Sequence, residues 1–374
     1  MKKNIITIVI FGVVLFSVFG CKKTEVTQVN TQITDKPKYI DIVACGDNLY
    51  HKTVIDSGLQ NDGSYDYSMI YNEIQEIVED ADISIIGQET VFGGKEAGYS
   101  GYPMFNTPDE VGDALAECGY DIVLHATNHI MDKFSDGVER TWEFWEKYPD
   151  ITVLGIHPDE EHDDEIEIYE YDGVKLALLN YTYDINGIKL PDDKEYLVEL
   201  IDEDNIESDA EYAEENADFT IAFMHWGIEY STTPSEEQKE LAEKMADWGV
   251  DLIIGSHPHV IEPVEWIETD NGNKALVYYS LGNFVSRQTD IINLLGGMAK
   301  VTLKSDNGEV SVDEYSFKPV VTHYNFGSSK FKIYPLSEYT DELASTHGIG
   351  ATKEKFTSLL DGVFDGYDKN IIEY

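Results

Sequence analysis

Residues that can bind metal ions follow five apolar runs of this sequence, each just past the end of its run. In chain order they are Asp47 with His51, Glu89, Asn128 with His129, His225, and His257 with His259. The carboxyl ends of the strands in an open α/β sheet lie at one edge, where such proteins build their sites. A single carboxylate after a strand carries little information, but five successive strand ends of this kind predict one shared site.

The residue types in this set indicate what the site could do chemically. Imidazole nitrogens, carboxylates and a carboxamide oxygen suit Zn, Mn or Fe better than Ca, which prefers oxygen ligands alone. The turn His257-Pro258-His259 lets two imidazoles project from one short segment. The set predicts a centre for one or two divalent transition-metal ions, roughly 3.5–4 Å apart if both bind. Such ions activate a water molecule and stabilise negative charge on the substrate.

The elements that must position these residues alternate from residue 39 onward. Short β-branched runs predict strands over residues 39–45, 83–86, 121–125, 152–154, 175–180, 219–224 and 252–254. Amphipathic stretches predict helices over residues 67–79, 108–118, 135–147, 209–216 and 235–248. Beyond Gly255 the pattern predicts strands alone, over residues 259–267, 275–280, 298–303 and 310–318. Alternation followed by strands indicates a layered α/β fold with a mixed sheet.

The acidic composition restricts the partners of the chain. It carries 72 Asp and Glu against 26 Lys and Arg, a net charge of −46. Such a surface repels nucleic acid and anionic lipid, so neither is an expected partner. An anionic substrate must therefore be held by metal ions or by a few local cations. Arg287 is the candidate for that contact, with a plain surface role as the alternative.

The N-terminal residues have the features of a lipoprotein signal peptide. Lys2 and Lys3 precede an apolar run over residues 5–19, which is too short for an ordinary membrane span. The run ends at Gly20-Cys21, the form of a lipobox, so residues 1–20 are expected to be removed and Cys21 to be lipidated. A plain secretory signal or an uncleaved anchor is the alternative. Polar residues 21–37 are expected to form a flexible tether.

The remaining cysteines and histidines have simpler predicted roles. Cys45 and Cys118 lie in or beside apolar runs and are expected to be buried free thiols, a disulfide between them being the alternative. His125 is expected to have a packing role. Surface positions are expected for His157, His162, His323 and His347.

The ordered set of motifs resembles the metallophosphoesterase superfamily, and more closely its CapA family of poly-γ-glutamate capsule biosynthesis proteins. The resemblance covers about residues 39–287 and includes the Asn-His pair at 128–129. It also includes His-Trp-Gly-x-Glu-Tyr at 225–230, Gly-x-His-Pro-His-Val at 255–260 and Ser-Leu-Gly-Asn-Phe at 280–284. It implies a layered α/β/β/α sandwich with mixed sheets. Two features depart from the broader superfamily: the early histidine stands four residues after Asp47 instead of two, and Glu89 replaces a bridging aspartate.

The resemblance also implies roles for single residues. The implied metal ligands are Asp47, His51, Glu89, Asn128, His225, His257 and His259. His129 would protonate the leaving atom or stabilise the oxyanion, and Asp132 would orient its imidazole or, alternatively, cap a helix. Glu229 could act as an acid beside the ligands or lie on the surface. Asn283 could face the site as a substrate contact or serve only in a turn.

These expectations define domains and a function. Residues 38–335 would form the CapA-type domain and residues 336–374 a helical C-terminal extension. The protein would be lipid-anchored on the extracellular face of the cell membrane, as a hydrolase of poly-γ-glutamate or another anionic polymer that uses a metal-activated water. Its role would be capsule biosynthesis, release or anchoring, with possible contacts to membrane-bound polymer synthase subunits. The alternatives are a non-catalytic metal-binding accessory subunit and a phosphodiesterase unrelated to the capsule. His129 beside a full ligand set favours an enzyme, because a structural metal site needs no such group.

Overall fold

The computed structural model describes residues 36–163, 166–325 and 330–374. The predicted signal peptide, Cys21 and nearly all of the predicted tether lie outside this range. Among the described helices, none has the length and apolar character of a membrane span. The described residues form one compact unit from Lys36 to Tyr374.

Fourteen strands in this part of the chain form two sheets. The strands are β1 (Lys38–Asn48), β2 (Ile83–Gly87), β3 (Ile122–Leu124), β4 (Thr152–Leu154), β5 (Glu167–Tyr171), β6 (Val174–Thr182), β7 (Phe219–His225), β8 (Leu252–Ser256), β9 (Val264–Glu268), β10 (Lys274–Tyr278), β11 (Asn283–Val285), β12 (Leu295–Asp306), β13 (Glu309–Tyr324) and β14 (Phe331–Pro335). The first sheet has the order β14-β13-β12-β1-β2-β3-β4, and β11 pairs with the end of β1. The second has the order β5-β6-β7-β8-β10-β9. Both are mixed, with β1, β2, β3 and β4 parallel in the first and β6, β7, β8 and β10 parallel in the second.

Within the described ranges, ten α-helices connect or flank these strands. They are α1 (Lys52–Ser57), α2 (Ser68–Tyr71), α3 (Gln75–Glu79), α4 (Glu110–Cys118), α5 (Phe134–Trp145), α6 (Glu160–Asp163), α7 (Glu203–Asn216), α8 (Glu236–Asp247), α9 (Asp341–Ser345) and α10 (Lys353–Val363). Short 3-10 helices occur at Lys95–Ala97, Glu195–Leu197, Ile291–Leu294, Leu336–Glu338 and Lys369–Ile371. Helix α8 begins with a capping box between Ser235 and Gln238, which satisfies two backbone N–H groups at its start.

The two sheets pack face to face, because alternate residues of their strands point to opposite sides. In β7, Ile221 and Phe223 join the core shared with the first sheet. The intervening Ala222 and Met224 pack in a second cluster with residues of α7 and α8. On the other side of the molecule, Phe144 of α5 and residues of α4 belong to the core of the first sheet. The predicted α/β/β/α layering with mixed sheets is therefore confirmed.

Several boundaries differ from the sequence predictions. The predicted helix over residues 67–79 is two short helices, because Ile74 has φ −121°, outside the helical range. Helix α7 starts at Glu203, six residues earlier than predicted, since the Asp202 side chain caps its acidic first turn. The predicted strand over residues 259–267 begins only at Val264. His257 and His259 have φ values of 96° and 59°, so the chain turns there instead of extending.

Burial tests the predictions for the remaining cysteines and histidines. Cys45 and Cys118 are buried and unpaired, as predicted. The surface prediction is wrong for His323 and His347, which are 4% and 3% exposed. His323 Nδ1 lies 2.7 Å from the Tyr339 hydroxyl, and His347 Nε2 lies 3.1 Å from the Thr322 carbonyl oxygen. These bonds join the C-terminal residues to β13, which local sequence could not indicate.

Residues 336–374 share the hydrophobic core of the larger domain. Phe356, Leu360 and Phe364 of the C-terminal segment are fully buried in the same cluster as the first sheet. Ile372 also forms an isolated parallel bridge with Phe317 of β13. This segment therefore contributes to the packing that supports the first sheet.

Candidate metal centre

The two sheets bring six of the predicted metal ligands to one edge. Asp47 lies at the end of β1, Glu89 two residues after β2 and Asn128 four residues after β3, which are neighbouring strands of the first sheet. His225 ends β7 and His257 directly follows β8, which are neighbours in the second sheet. His259 follows in the same turn as His257. All six are at most 3% exposed, so the cluster is buried between the sheets.

Asp47, Glu89 and His259 form one group within the cluster. One ligand atom from each of these residues lies within 4.8 Å of the others. His259 Nδ1 is 3.4 Å from Asp47 Oδ2, and His259 Nε2 is 3.7 Å from Glu89 Oε1. Two carboxylates and an imidazole at this spacing are a suitable donor set for a divalent ion.

A second group lies on the other side of Asp47. His225 Nδ1 is 3.8 Å from Asp47 Oδ1, and His225 Nε2 is 2.9 Å from Asn128 Oδ1. The imidazole of His257 lies 4.9 Å from that of His225, centroid to centroid. Asp47 thus presents one carboxylate oxygen to each group. A carboxylate in this position could contribute ligand atoms to two metal ions.

Unsatisfied polar atoms show that the cluster fits a cation. Both carboxylate oxygens of Glu89 and the Nδ1 atom of His257 are buried without a hydrogen-bond partner. Leaving such groups unpaired is costly, and a bound cation would remove that cost. Burial raises the pKa of Glu89 well above its ordinary value, and the nearby Asp47 raises it further while His259 opposes the shift. A carboxylate in this position needs either a proton or a cation.

The histidines differ in their protonation. Burial holds the pKa of His225 well below its ordinary value, and His257 adds to this. Burial and the neighbouring His259 lower the pKa of His257 to about 3. Burial also disfavours protonation of His259, but Glu89 and Asp47 outweigh it and raise its pKa to about 9. His225 and His257 are therefore neutral, which is the form that binds metal ions.

Hydrogen bonds fix which imidazole nitrogen faces each neighbour. Asn283 is fully buried, and its Oδ1 lies 3.1 Å from His259 Nδ1, which leaves Nε2 directed at Glu89. The Ser256 hydroxyl lies 2.9 Å from His225 Nδ1, which leaves Nε2 directed at Asn128. Such partners commonly orient metal-binding histidines. Asn283, for which a turn or a substrate contact was predicted, is thus engaged by a protein group and has no exposed surface.

His129 and Asp132 form a pair beside the ligands. His129 Nδ1 is 2.8 Å from Asp132 Oδ2, and that oxygen also accepts the backbone N–H of Phe105 at 2.6 Å. The Phe105 ring packs edge-on against the imidazole, with 4.6 Å between centroids. Helix α5 has Lys133 at its N-cap position and no side-chain cap, so the Asp132 carboxylate is directed at His129. With Nδ1 engaged, His129 keeps Nε2 for a substrate.

Three other predicted residues lie at the margin of the cluster. His51 precedes α1, and its Nδ1 accepts the backbone N–H of Arg287 at 3.4 Å. Burial and the nearby His259 lower the pKa of His51 to about 4. The Arg287 guanidinium lies over the Tyr324 ring, 4.2 Å from its centroid. Glu229 is exposed, and its charge contributes to the raised pKa values of Glu89 and His259.

A buried polar network behind the ligands was not predicted from the sequence. Asn48 Nδ2 donates to Gln88 Oε1 at 2.6 Å, and the Tyr71 hydroxyl donates to Asn48 Oδ1 at 3.0 Å. Gln88 Nε2 also donates to the carbonyl oxygen of Thr90 at 2.7 Å. These residues stand next to Asp47 and Glu89 in sequence, so the network holds the backbone that carries both carboxylates. The sequence did contain a sign of this network, because the polar residues Asn48 and Gln88 stand at the ends of apolar strands.

The chain has a metallophosphoesterase-like fold that carries a candidate metal centre. The structure of Haemophilus influenzae NAD nucleotidase (NadN) superposes with a TM-score of 0.50 at 14% identity, over 90% of this chain and 57% of that one. At this identity the likeness concerns the fold alone.

The model of the family described as bacterial capsule synthesis protein PGA_cap matches residues 41–288, and the chain belongs to that family. The PGA biosynthesis protein CapA of Bacillus subtilis (strain 168) is 33% identical over 185 residues, which is 46% of this chain and 44% of that protein. The capsule biosynthesis protein CapA of Bacillus anthracis is 28% identical over 225 residues, 57% of this chain and 53% of that protein. The alignments thus span about half the length of these curated relatives.

Proposed function

We propose that this protein is a metal-dependent hydrolase that acts on poly-γ-glutamate during capsule biosynthesis, release or anchoring. The observation that carries the proposal is the fully buried Glu89, whose two oxygens lack hydrogen-bond donors and face His259 and Asp47. Membership of the capsule synthesis family and the names of the two CapA relatives support the polymer as substrate.

The residues of the centre would divide the work as follows. One or two divalent ions would be held by Asp47, Glu89, Asn128, His225, His257 and His259. When bound, such ions lower the pKa of water and stabilise negative charge on the substrate. His129 would give a proton to the leaving group through Nε2, since Asp132 holds Nδ1. Arg287, whose backbone N–H contacts His51, would supply the cation that contacts an anionic group.

We also propose that the chain is anchored by lipid on Cys21 at the outer face of the cell membrane, beside membrane-bound polymer synthase subunits. The lipobox and the polar segment that follows it support this. Metabolic labelling with a fatty acid measures it directly: label should appear on the full chain and be absent from the Cys21→Ala variant. Equal labelling of both, or of neither, would refute lipidation at this residue.

The decisive experiment measures metal content and hydrolysis in the same samples. The full chain is compared with a His257→Ala, His259→Ala double variant and with a matched His157→Ala, His162→Ala control outside the cluster. Poly-γ-glutamate and a generic phosphodiester serve as substrates. We expect one or two transition-metal ions per chain and cleavage of poly-γ-glutamate, both lost only in the first variant.

The other outcomes separate the alternatives. Bound metal without turnover of either substrate would indicate a non-catalytic accessory subunit. Cleavage of the phosphodiester alone would indicate a phosphodiesterase unrelated to the capsule. Absence of bound metal from the unmodified chain, even after incubation with Mn²⁺ or Zn²⁺, would refute the proposed centre.

A further inference from the structure

An exposed asparagine on the loop after β6 contacts the amide ligand of the centre. Asn186 Nδ2 donates to the backbone carbonyl of Asn128 at 2.8 Å. Asn128 Nδ2 donates in return to Asn186 Oδ1 at 3.3 Å. The neighbouring Ile185 is buried in a cluster with Ile130 and Met131, so the loop is fixed next to the Asn128-His129 segment.

These two bonds set the direction of the Asn128 carboxamide. The backbone carbonyl oxygen of Asn128 can pair only with a hydrogen-bond donor, so it binds the NH₂ group of Asn186. Asn186 Oδ1 therefore faces the Asn128 side chain. Asn186 Oδ1 can likewise pair only with a hydrogen-bond donor, so it binds the NH₂ group of Asn128. The oxygen of Asn128 must then point the other way, where it lies 2.9 Å from His225 Nε2.

The rotated carboxamide would not serve a metal ion. Rotation by 180° would bring the Asn128 oxygen against Asn186 Oδ1, two acceptors without a proton between them, and would direct an NH₂ group at the cluster. An amide binds metals through its oxygen, because its nitrogen carries no available lone pair at neutral pH. Asn186 Nδ2 also lies 3.2 Å from His129 Nδ1, but Asp132 occupies that nitrogen, so the bond to the Asn128 carbonyl is the one that fixes Asn186.

We propose that Asn186 is a positioning residue that makes Asn128 a metal ligand by orienting its amide oxygen. The inference rests on the proposed metal centre and adds to it a residue outside the motifs that define the ligands. Asn186 is exposed, so replacing its side chain leaves no cavity in the core. Its φ of 53° lies in the left-handed region, which Asn, Asp and Gly tolerate.

The test compares Mn²⁺ and Zn²⁺ affinity of the full chain and its Asn186→Gly and Asn186→Asp variants, by competition with a chromogenic chelator. Asn307 provides the matched control, because it is an exposed asparagine with φ 57° in the hairpin between β12 and β13. We expect Asn186→Gly to weaken metal binding roughly 10–100-fold, as loss of an orienting partner commonly does. Asn186→Asp keeps an acceptor for Asn128 Nδ2 but replaces the donor to the Asn128 carbonyl with an oxygen, so we expect it to weaken metal binding as well. The Asn307→Gly and Asn307→Asp variants should bind like the unmodified chain.

The outcomes separate this inference from the proposed function. Asn186→Gly with unchanged affinity, beside an Asn128→Ala variant that binds more weakly, would overturn the role of Asn186 and leave the metal centre standing. Unchanged affinity in Asn186→Asp would also overturn it, because that variant lacks the donor to the Asn128 carbonyl that fixes residue 186. No metal binding by the unmodified chain would refute the centre itself, and the inference with it.

Discussion

Gly46 allows β1 to carry Asp47 into the cluster, and adding one methyl group there should disrupt the centre. A Cβ at Gly46 would lie 2.0 Å from the carbonyl oxygen of Gly282, a distance that real Cβ atoms do not reach. The same carbonyl accepts the backbone N–H of Asp47 at 3.0 Å. The Gly46→Ala variant must therefore separate the two segments by about 1 Å and lengthen the bond that places Asp47.

The expected size of the effect follows from that displacement. Insertion of a methyl group into a well-packed region costs about 1–3 kcal/mol, and backbone on both sides favours the upper part of this range. For a unit of roughly 340 residues, about 2 kcal/mol corresponds to a fall in Tm of about 3 °C. A shift of about 1 Å in one ligand should also weaken metal binding by at least roughly 10-fold.

The assay is thermal unfolding together with Mn²⁺ and Zn²⁺ titration of the full chain. The matched control is Gly362→Ala in α10, where a new Cβ would have no atom within 4 Å. That variant should keep its metal affinity and gain about 0.5 kcal/mol, because alanine favours a helix over glycine. Unchanged Tm and metal affinity in Gly46→Ala would show that the close approach of Gly46 and Gly282 does not position Asp47.

Two further substitutions test pH dependence and proton transfer. Burial raises the pKa of Glu262 to about 7, although the hydrogen bond from Gln238 opposes this. The folded state therefore holds this proton more tightly than the unfolded state, and stability falls as pH rises from about 4.5 to 7. The Glu262→Gln variant should have the same free energy of unfolding as the unmodified chain at pH 4. At pH 8 it should be about 1–3 kcal/mol more stable in denaturant unfolding. An equal difference in stability between the two proteins at every pH would contradict this. Asp132→Asn should keep the bound metal but lower kcat roughly 100-fold, because an amide no longer holds His129 with its proton on Nδ1. An unchanged kcat would show that the Asp132 carboxylate is not needed to position His129 for proton transfer.

The positions of most strands and the types of the candidate ligands were predictable from local sequence. Strand ends were readable because apolar runs such as Phe219–His225 are bounded by polar residues. The residue types at those ends then indicated a mixed nitrogen and oxygen centre without any knowledge of distances. Buried Cys45 and Cys118 were predictable for the same reason, since an apolar run indicates its own burial.

The pairing of those residues depended on how the two sheets pack. His225 and Asn128 are 97 positions apart, yet their side chains lie 2.9 Å from each other because β3 and β7 belong to sheets that meet face to face. No local pattern records such a contact. The same reason explains why Ser256 and Asn283 were not recognised as partners of the histidines: their roles arise only from what lies opposite them.

The loop that carries Asn186 shows most clearly what local sequence cannot predict. It lies in a polar, exposed segment, and its sequence gives no periodicity or motif. Its contact with Asn128 exists because Ile185 is buried beside Ile130 and a left-handed φ turns the next side chain toward the centre. The sequence by itself determined which chemical groups are available and in what order. The tertiary structure decided which of their atoms face each other, because hydrogen bonds and buried charges depend on distances that only the packed sheets define.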